Sequence, residues 1–230
     1  MGTYKYLLFD ADDTVLDFRT AERTAFAAMS HECGIEFTEE LYSRYHIINA
    51  RLWKQIETNE ITRDELKFRR YYELVGDETL ARKMGKAYER LLGEQNAVID
   101  GAPELCRRLG KIYRLFIITN GLAYAQRNRI RKSAANGIFE DLFISEEIGY
   151  AKPDPRFFDA VCGKIGDPDR SNYLVIGDTL SSDISGAVAA GIDSCWYNPR
   201  HEVADGIRPT YTVYRLDELE SILERKRSGA

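Results

Sequence analysis

Cysteine is scarce and scattered: Cys33, Cys106, Cys162 and Cys195 form no CxxC pair. A chain of 230 residues can bury a sizeable apolar core and needs no disulfide framework, so these are expected to be reduced thiols of a cytoplasmic protein. No apolar run approaches membrane-spanning length. The first one stops at Asp10 and follows no basic stretch, so neither export nor a membrane anchor is expected. Positive charge is not in excess either. With 32 Lys and Arg against 37 Asp and Glu, the formal net charge of −5 argues against a nucleic acid polymer or an anionic membrane as partner. An anionic small molecule would then need locally placed cations. Internal repeats and low-complexity tracts are absent as well.

What is present organises around the tract running from Tyr6 to Leu16, an apolar run ending in Asp10, Asp12 and Asp13. Leu7, Leu8 and Phe9 read as a strand buried on both faces, which in an α/β sheet delivers the residues after it to the carboxyl edge where ligands collect. Carboxylates two residues apart repel, and Asp10 with Asp12 suggests a divalent cation or a shared proton. An acidic turn in which Asp13 and Thr14 cap the next segment is the simpler alternative.

After Leu16 the pattern turns helical. Leu41, Tyr45, Ile48, Leu52 and Ile56 recur at helical spacing behind Thr38; Thr62 and Glu65 make a capping box; Leu80, Met84, Ala87 and Leu91 form a stripe behind Asp77. Beyond residue 97 strands alternate with helices. Strands are expected over 113–119, 142–145, 173–176 and 194–197, and helices from Pro103, over 123–135, 157–165 and 182–190, and after Asp217. The fold class this predicts is α/β: a Rossmann-like parallel sheet core from 1–16 and 97–230, with an all-helical cap inserted at 17–96. Hinges are expected near 16–18 and 97–101.

Three further stretches, two of them strand ends, carry polar groups. Thr119, Asn120 and Gly121 offer a hydroxyl, an amide and a flexible backbone suited to phosphate oxygens, or simply an Asn-Gly turn. Lys152 stands beside Pro153 just before a helix, either as a solvated charge or as the cation a phosphoryl site needs. Asp178 ends a strand and Asp183 follows with the spacing GDxxxxD, where it is either a favourable acid at a helix start or part of an acidic set. Together with Asp10 and Asp12 these acids supply the oxygen ligands Mg²⁺ prefers.

In this order the four motifs resemble those of the haloacid dehalogenase-like superfamily: DxDxT at 10–14, then Thr119, Lys152, and the pair Asp178 and Asp183. The helical insertion is similar to that superfamily's first type of cap. The resemblance implies a two-step phosphoryl transfer with Asp10 as nucleophile and Asp12 as general acid and base. Thr119, Asn120, Gly121 and Lys152 would bind the transferring oxygens. Asp10, Asp178 and the Asp12 main-chain carbonyl would hold Mg²⁺, with Asp183 orienting that shell. An acid two residues after the nucleophile implies a phosphatase or phosphomutase rather than a dehalogenase, and Asp13 departs from the glycine frequent in the family.

The tracts FDADDTVL, TNGL with Gln126 and Arg127, ISEEIGYAKP, DPDRS, GDTLSSDI and AAGIDSCWYN are similar to bacterial pyrimidine-directed 5′-nucleotidases, which implies a small phosphomonoester as partner. A sugar-phosphate phosphatase, a phosphomutase and, from another class, a phospho-accepting signalling receiver stay open. In the insertion, Tyr45, His46, Trp53, Arg69, Tyr71 and Tyr72 are candidates to meet a base, although Tyr45 falls in an apolar stripe. The cations Arg127, Arg129, Arg131 and Lys132 read as a solvated helix face.

Overall fold

The computed structural model describes residues 3–58, 60–204 and 206–228. Its centre is β1 (Tyr6–Asp10), whose five residues are all buried, as an uninterrupted apolar run requires. β1 pairs in parallel with β2 (Arg114–Thr119) on one side and β4 (Tyr173–Gly177) on the other, so that Leu8 lies between Phe116 and Val175. With β3 (Asp141–Ile144), β5 (Asp193–Tyr197) and β6 (Tyr211–Val213) the sheet has the order β3-β2-β1-β4-β5-β6, all parallel. The chain winds outward from β1 in both directions, so a crevice opens at the carboxyl ends of β1, β2 and β4. Asp10, Thr119 and Gly177 occupy those ends.

Side chains alternate across the sheet into two apolar layers. Leu7, Phe9, Ile117 and Ile176 pack with α5 (Ala102–Leu109) and α10 (Glu218–Ser228); Leu8, Phe116, Ile118 and Val175 pack with α8 (Pro155–Ile165). The helices α6 (Ala123–Lys132), α7 (Ser145–Ile148) and α9 (Ser185–Ala189) complete the crossovers.

Between β1 and α5 come four consecutive helices, α1 (Phe18–Cys33), α2 (Glu39–Glu57), α3 (Arg63–Val75) and α4 (Glu78–Gly93). Thr38 and Asp77 accept the third backbone N–H of α2 and α4, and the Thr62–Glu65 capping box forms at α3. The four share a core built on Phe26, Tyr45, Tyr71, Met84 and Tyr88, which continues into Leu122 and Ala125 at the start of α6. The two segments that lead into and out of this block run side by side: Leu16 bridges Val98, Asp17 N donates to Ala97 O and Ile99 N to Val15 O. Among the described residues, no helix is long and apolar enough to cross a membrane.

Some elements differ from the sequence expectation. The sequence expectation names no apolar stripe for α1, whose signals are local: Asp17 accepts from Thr20 N, and Gly34 closes the helix with φ +75°. The helix expected over 182–190 is instead a wide turn over Leu180–Ile184, with Ile184 N reaching back to Thr179 O, followed by the short α9. The wide turn lets the Asp183 carboxylate fold back to accept from Thr179 N at 3.1 Å. β6 and α7 are additional.

Candidate active site

Asp10, Thr119, Lys152, Asp178 and Asp183, up to 173 positions apart in the sequence, meet at the carboxyl edge of the sheet. The Lys152 ammonium, 2 % exposed, donates to Asp10 Oδ1 at 2.5 Å, Asp183 Oδ1 at 2.6 Å and Ile118 O at 3.2 Å. Its loop is held by Asn120, whose side chain both donates to Lys152 O (2.8 Å) and accepts from Lys152 N (2.9 Å). Burial works against the ammonium, but the carboxylates of Asp10 and Asp183 outweigh it and keep the lysine charged. The solvated-charge reading of Lys152 is therefore set aside.

Asp10, Asp178 and Asp183 each place a carboxylate oxygen within 4.8 Å of the others. Burial, then the Asp183 charge, push the Asp10 carboxyl up, while Lys152 pulls it down. Burial, then Asp183 and Asp13, raise Asp178 to about 7. Three carboxylates face one buried ammonium; Arg200, 40 % exposed, approaches Asp178 only at 3.8 Å. An all-oxygen donor set with surplus negative charge fits a hard divalent cation such as Mg²⁺. Gly177 is required here by close approach: a Cβ on it would stand 2.4 Å from Asp183 Oδ2.

The Asp12 carboxylate turns away from this trio. It accepts from Gln126 Nε2 at 2.6 Å and from Arg129 Nη1 at 2.5 Å. Gln126 Nε2 also donates to Thr119 Oγ1 at 2.9 Å, and Thr119 Oγ1 accepts from Gly121 N at 3.0 Å. The strand-end threonine and the second aspartate are thus joined through one amide. Asp13 adopts a left-handed φ of +57° and accepts from the N–H groups of Phe18 and Arg19. That backbone conformation explains why glycine suits the position, and an aspartate tolerates it by bonding locally.

Arg129 corrects the sequence reading. The cation run on α6 was expected to be a solvated face, and Arg127, Arg131 and Lys132 are exposed, but Arg129 is 1 % exposed and bound to Asp12. Gln126 and Arg129 lie three apart on one helix face, a spacing the sequence did carry.

A cavity of about 270 Å³ extends from these groups to the inserted helices, lined on that side by Phe18, Trp53, Arg70, Tyr88 and Leu92. Of the insertion residues singled out in the sequence, Trp53 lines it. Tyr45 and Tyr71 are core; Arg69 and Tyr72 lie outside the lining; His46, half exposed, pairs with buried Glu22 at 2.9 Å. Arg70 and Tyr88 were missed.

Residues 4–191 match the family model described as haloacid dehalogenase-like hydrolase. The HAD-hydrolase YfnB of Bacillus subtilis is 38 % identical over 97 % of both chains. A crystal structure of that protein bound to magnesium superposes with a TM-score of 0.89 at 37 % identity, covering 96 % of this chain and 99 % of the other. The pyrimidine 5′-nucleotidases PynA of Streptococcus pneumoniae and YjjG of Escherichia coli are 35 % and 34 % identical, each over 96 % of this chain and over 96 % and 98 % of their own.

Proposed function

This chain belongs to the haloacid dehalogenase-like hydrolases, and from that membership we propose that it is a phosphatase acting through an aspartyl-phosphate, with pyrimidine nucleoside monophosphates as substrates. The observation that carries the reading is the buried ammonium of Lys152 bridging Asp10 and Asp183 beside an acid trio at the sheet edge. Such a site accepts a phosphoryl group's charge where water is scarce.

An oxygen of Asp10 attacks phosphorus as the ester P–O bond breaks, and Asp12 gives a proton to the departing alkoxide. Asp12 then takes a proton from water, whose oxygen attacks phosphorus and frees Asp10 and inorganic phosphate. Thr119, the backbone N–H groups of Asn120 and Gly121, and Lys152 bind the transferring oxygens. Gln126 and Arg129 hold Asp12 at the cavity edge. Asp10, Asp178 and the Asp12 main-chain carbonyl would hold Mg²⁺, with Asp183, bound to Lys152 and Thr179 N, orienting that set, and the ion would supply charge neutralisation. Residues 17–96 act as a cap that closes over the leaving group, and the paired segments around 16–18 and 97–101 are its hinges.

The receiver alternative finds no support, since the four inserted helices have no role there and every relative named above is a hydrolase or nucleotidase. A panel of monophosphates tests the substrate: release of phosphate from UMP, dUMP and dTMP well above that from sugar phosphates is expected. Turnover of sugar phosphates alone overturns the nucleotide assignment, and isomerisation without phosphate release would make the protein a mutase.

The raised carboxyl of Asp178 gives a pH test of the cation site. A carboxyl held at about 7, above its ordinary 3.8, favours the protonated form, so its contribution to the metal-free fold is present below the unfolded value and lost as pH rises toward about 7. A cation replaces that proton. Mg²⁺ is therefore expected to raise the melting temperature more at about pH 8 than at about pH 6, because protons compete for the same oxygens. An equal or reversed effect at the two pH values, read by calorimetry, contradicts the assignment.

A further inference from the structure

We infer that Arg70 reads a carbonyl oxygen of the substrate's base, which makes it the residue that selects a pyrimidine nucleotide over a bare sugar phosphate; the inference rests on the nucleotidase reading above. Arg70 stands on α3, is 2 % exposed and lines the same cavity as Asp10 and Lys152. Its Nη1 donates to Asn49 Oδ1 at 3.3 Å, while Nε and Nη2 have no partner. Buried guanidinium N–H groups are costly to leave unmade, and two on one edge form a fork for an incoming acceptor. The guanidinium lies over the rings of Tyr71 and Tyr88, 5.0 and 4.8 Å from their centroids, which fix its plane.

The chemistry of that acceptor follows from the charge behind the arginine. Asn49 turns its oxygen to Arg70 and its Nδ2 to Glu22 Oε1 at 3.2 Å. Glu22, 1 % exposed, also accepts from Tyr42 and pairs with His46. One amide away from Arg70 there is already a buried carboxylate, itself paired with His46, so the positive charge is offset in part. A second anion, such as a carboxylate or another phosphate, would meet Glu22's field. A neutral carbonyl needs only the two free N–H groups. The remaining walls, Phe18, Trp53 and Leu92, are flat or apolar and suit a planar heterocycle rather than a hydroxylated sugar.

The test compares kcat/KM for UMP and for ribose 5-phosphate in the wild type, Arg70→Met and Arg70→Lys, with melting curves recorded for each. Arg70→Met is expected to lower the UMP value about 30-fold and to leave ribose 5-phosphate within about threefold. Arg70→Lys keeps the charge opposite Glu22 but not the fork, and is expected to lose most of the same preference. Equal losses on both substrates overturn the inference while leaving the nucleotidase reading intact, and so does a loss confined to a carboxylated monoester such as phosphoglycolate. A wild type that hydrolyses ribose 5-phosphate but not UMP defeats the nucleotidase reading itself. A measurement on the wild type alone decides the matter if the variants fail to fold: a C-nucleotide bearing a plain phenyl ring in place of the base, flat but without carbonyls, is expected to be no better a substrate than ribose 5-phosphate. Turnover equal to that of UMP overturns the inference.

Discussion

Asp10→Asn is expected to lower kcat by at least about 10⁴-fold, since the amide keeps the shape of the side chain but lacks the anionic oxygen that attacks phosphorus. The variant should fold. Lys152 keeps Asp183 and Ile118 O as acceptors, and the amide takes away a buried carboxylate that burial and the charges of Asp183, Asp178 and Asp12 all work against. The expected pattern is therefore an inactive protein with an unchanged or higher melting temperature in the absence of added cation. Steady-state phosphate release together with a melting curve checks it. A variant retaining a tenth or more of the wild-type kcat, on the order of a single weak contact, would mean that Asp10 does not attack.

Lys152→Met is expected to act in the opposite sense on stability. Lys152 is buried between two buried carboxylates, so deleting its ammonium leaves Asp10 and Asp183 uncompensated, a change that costs about 3 to 5 kcal/mol in comparable buried pairs. Added Mg²⁺ should recover part of that loss if the proposed site holds it, whereas it recovers little for a variant destabilised elsewhere in the core. Activity should fall below detection, since the transferring oxygens lose their buried cation. Urea unfolding of both proteins with and without Mg²⁺ measures the difference. A loss below about 1 kcal/mol, the level of an exposed ion pair, would place Lys152 in water rather than in the site.

The parts of this site that were legible in the sequence share one physical property. Asp10, Thr119 and Asp178 each end or follow an apolar run, and a strand buried on both faces leaves its last residue no place but the sheet edge. Three such ends, the alternation of strands with helices beyond residue 97 and the helical stripes before it were enough to anticipate the parallel sheet and the helical insertion. The partners of Arg129 and Arg70 were harder to read, because spacing can place an arginine on a helix face but not say which polar group meets it there. Arg127 and Arg131 lie in water, whereas Arg129 shares the buried face of α6 with Ala125, Gln126 and Ile130. Arg70 does fall midway between Leu66 and Leu74 at four-residue spacing, on the buried face of α3 and off the face of Arg69, but that spacing alone does not say that it meets Asn49 and Glu22 rather than apolar neighbours. The wide turn at Leu180–Ile184 was missed for a related reason: Asp183 folds back both to Thr179, four residues away, and to Lys152, and the second contact exists only once the sheet has formed.

All of the proposed chemistry depends on a phosphoryl group passing through the carboxylate at the tip of β1. The most direct measurement is to quench the enzyme in acid during turnover of UMP with Mg²⁺ present and map phosphate onto its peptides by mass spectrometry. Phosphate on Asp10 in the wild type and on no peptide of Asp10→Asn is the predicted result. Phosphate on Asp12 or Asp178, or none on a wild type caught in rapid turnover, would contradict it.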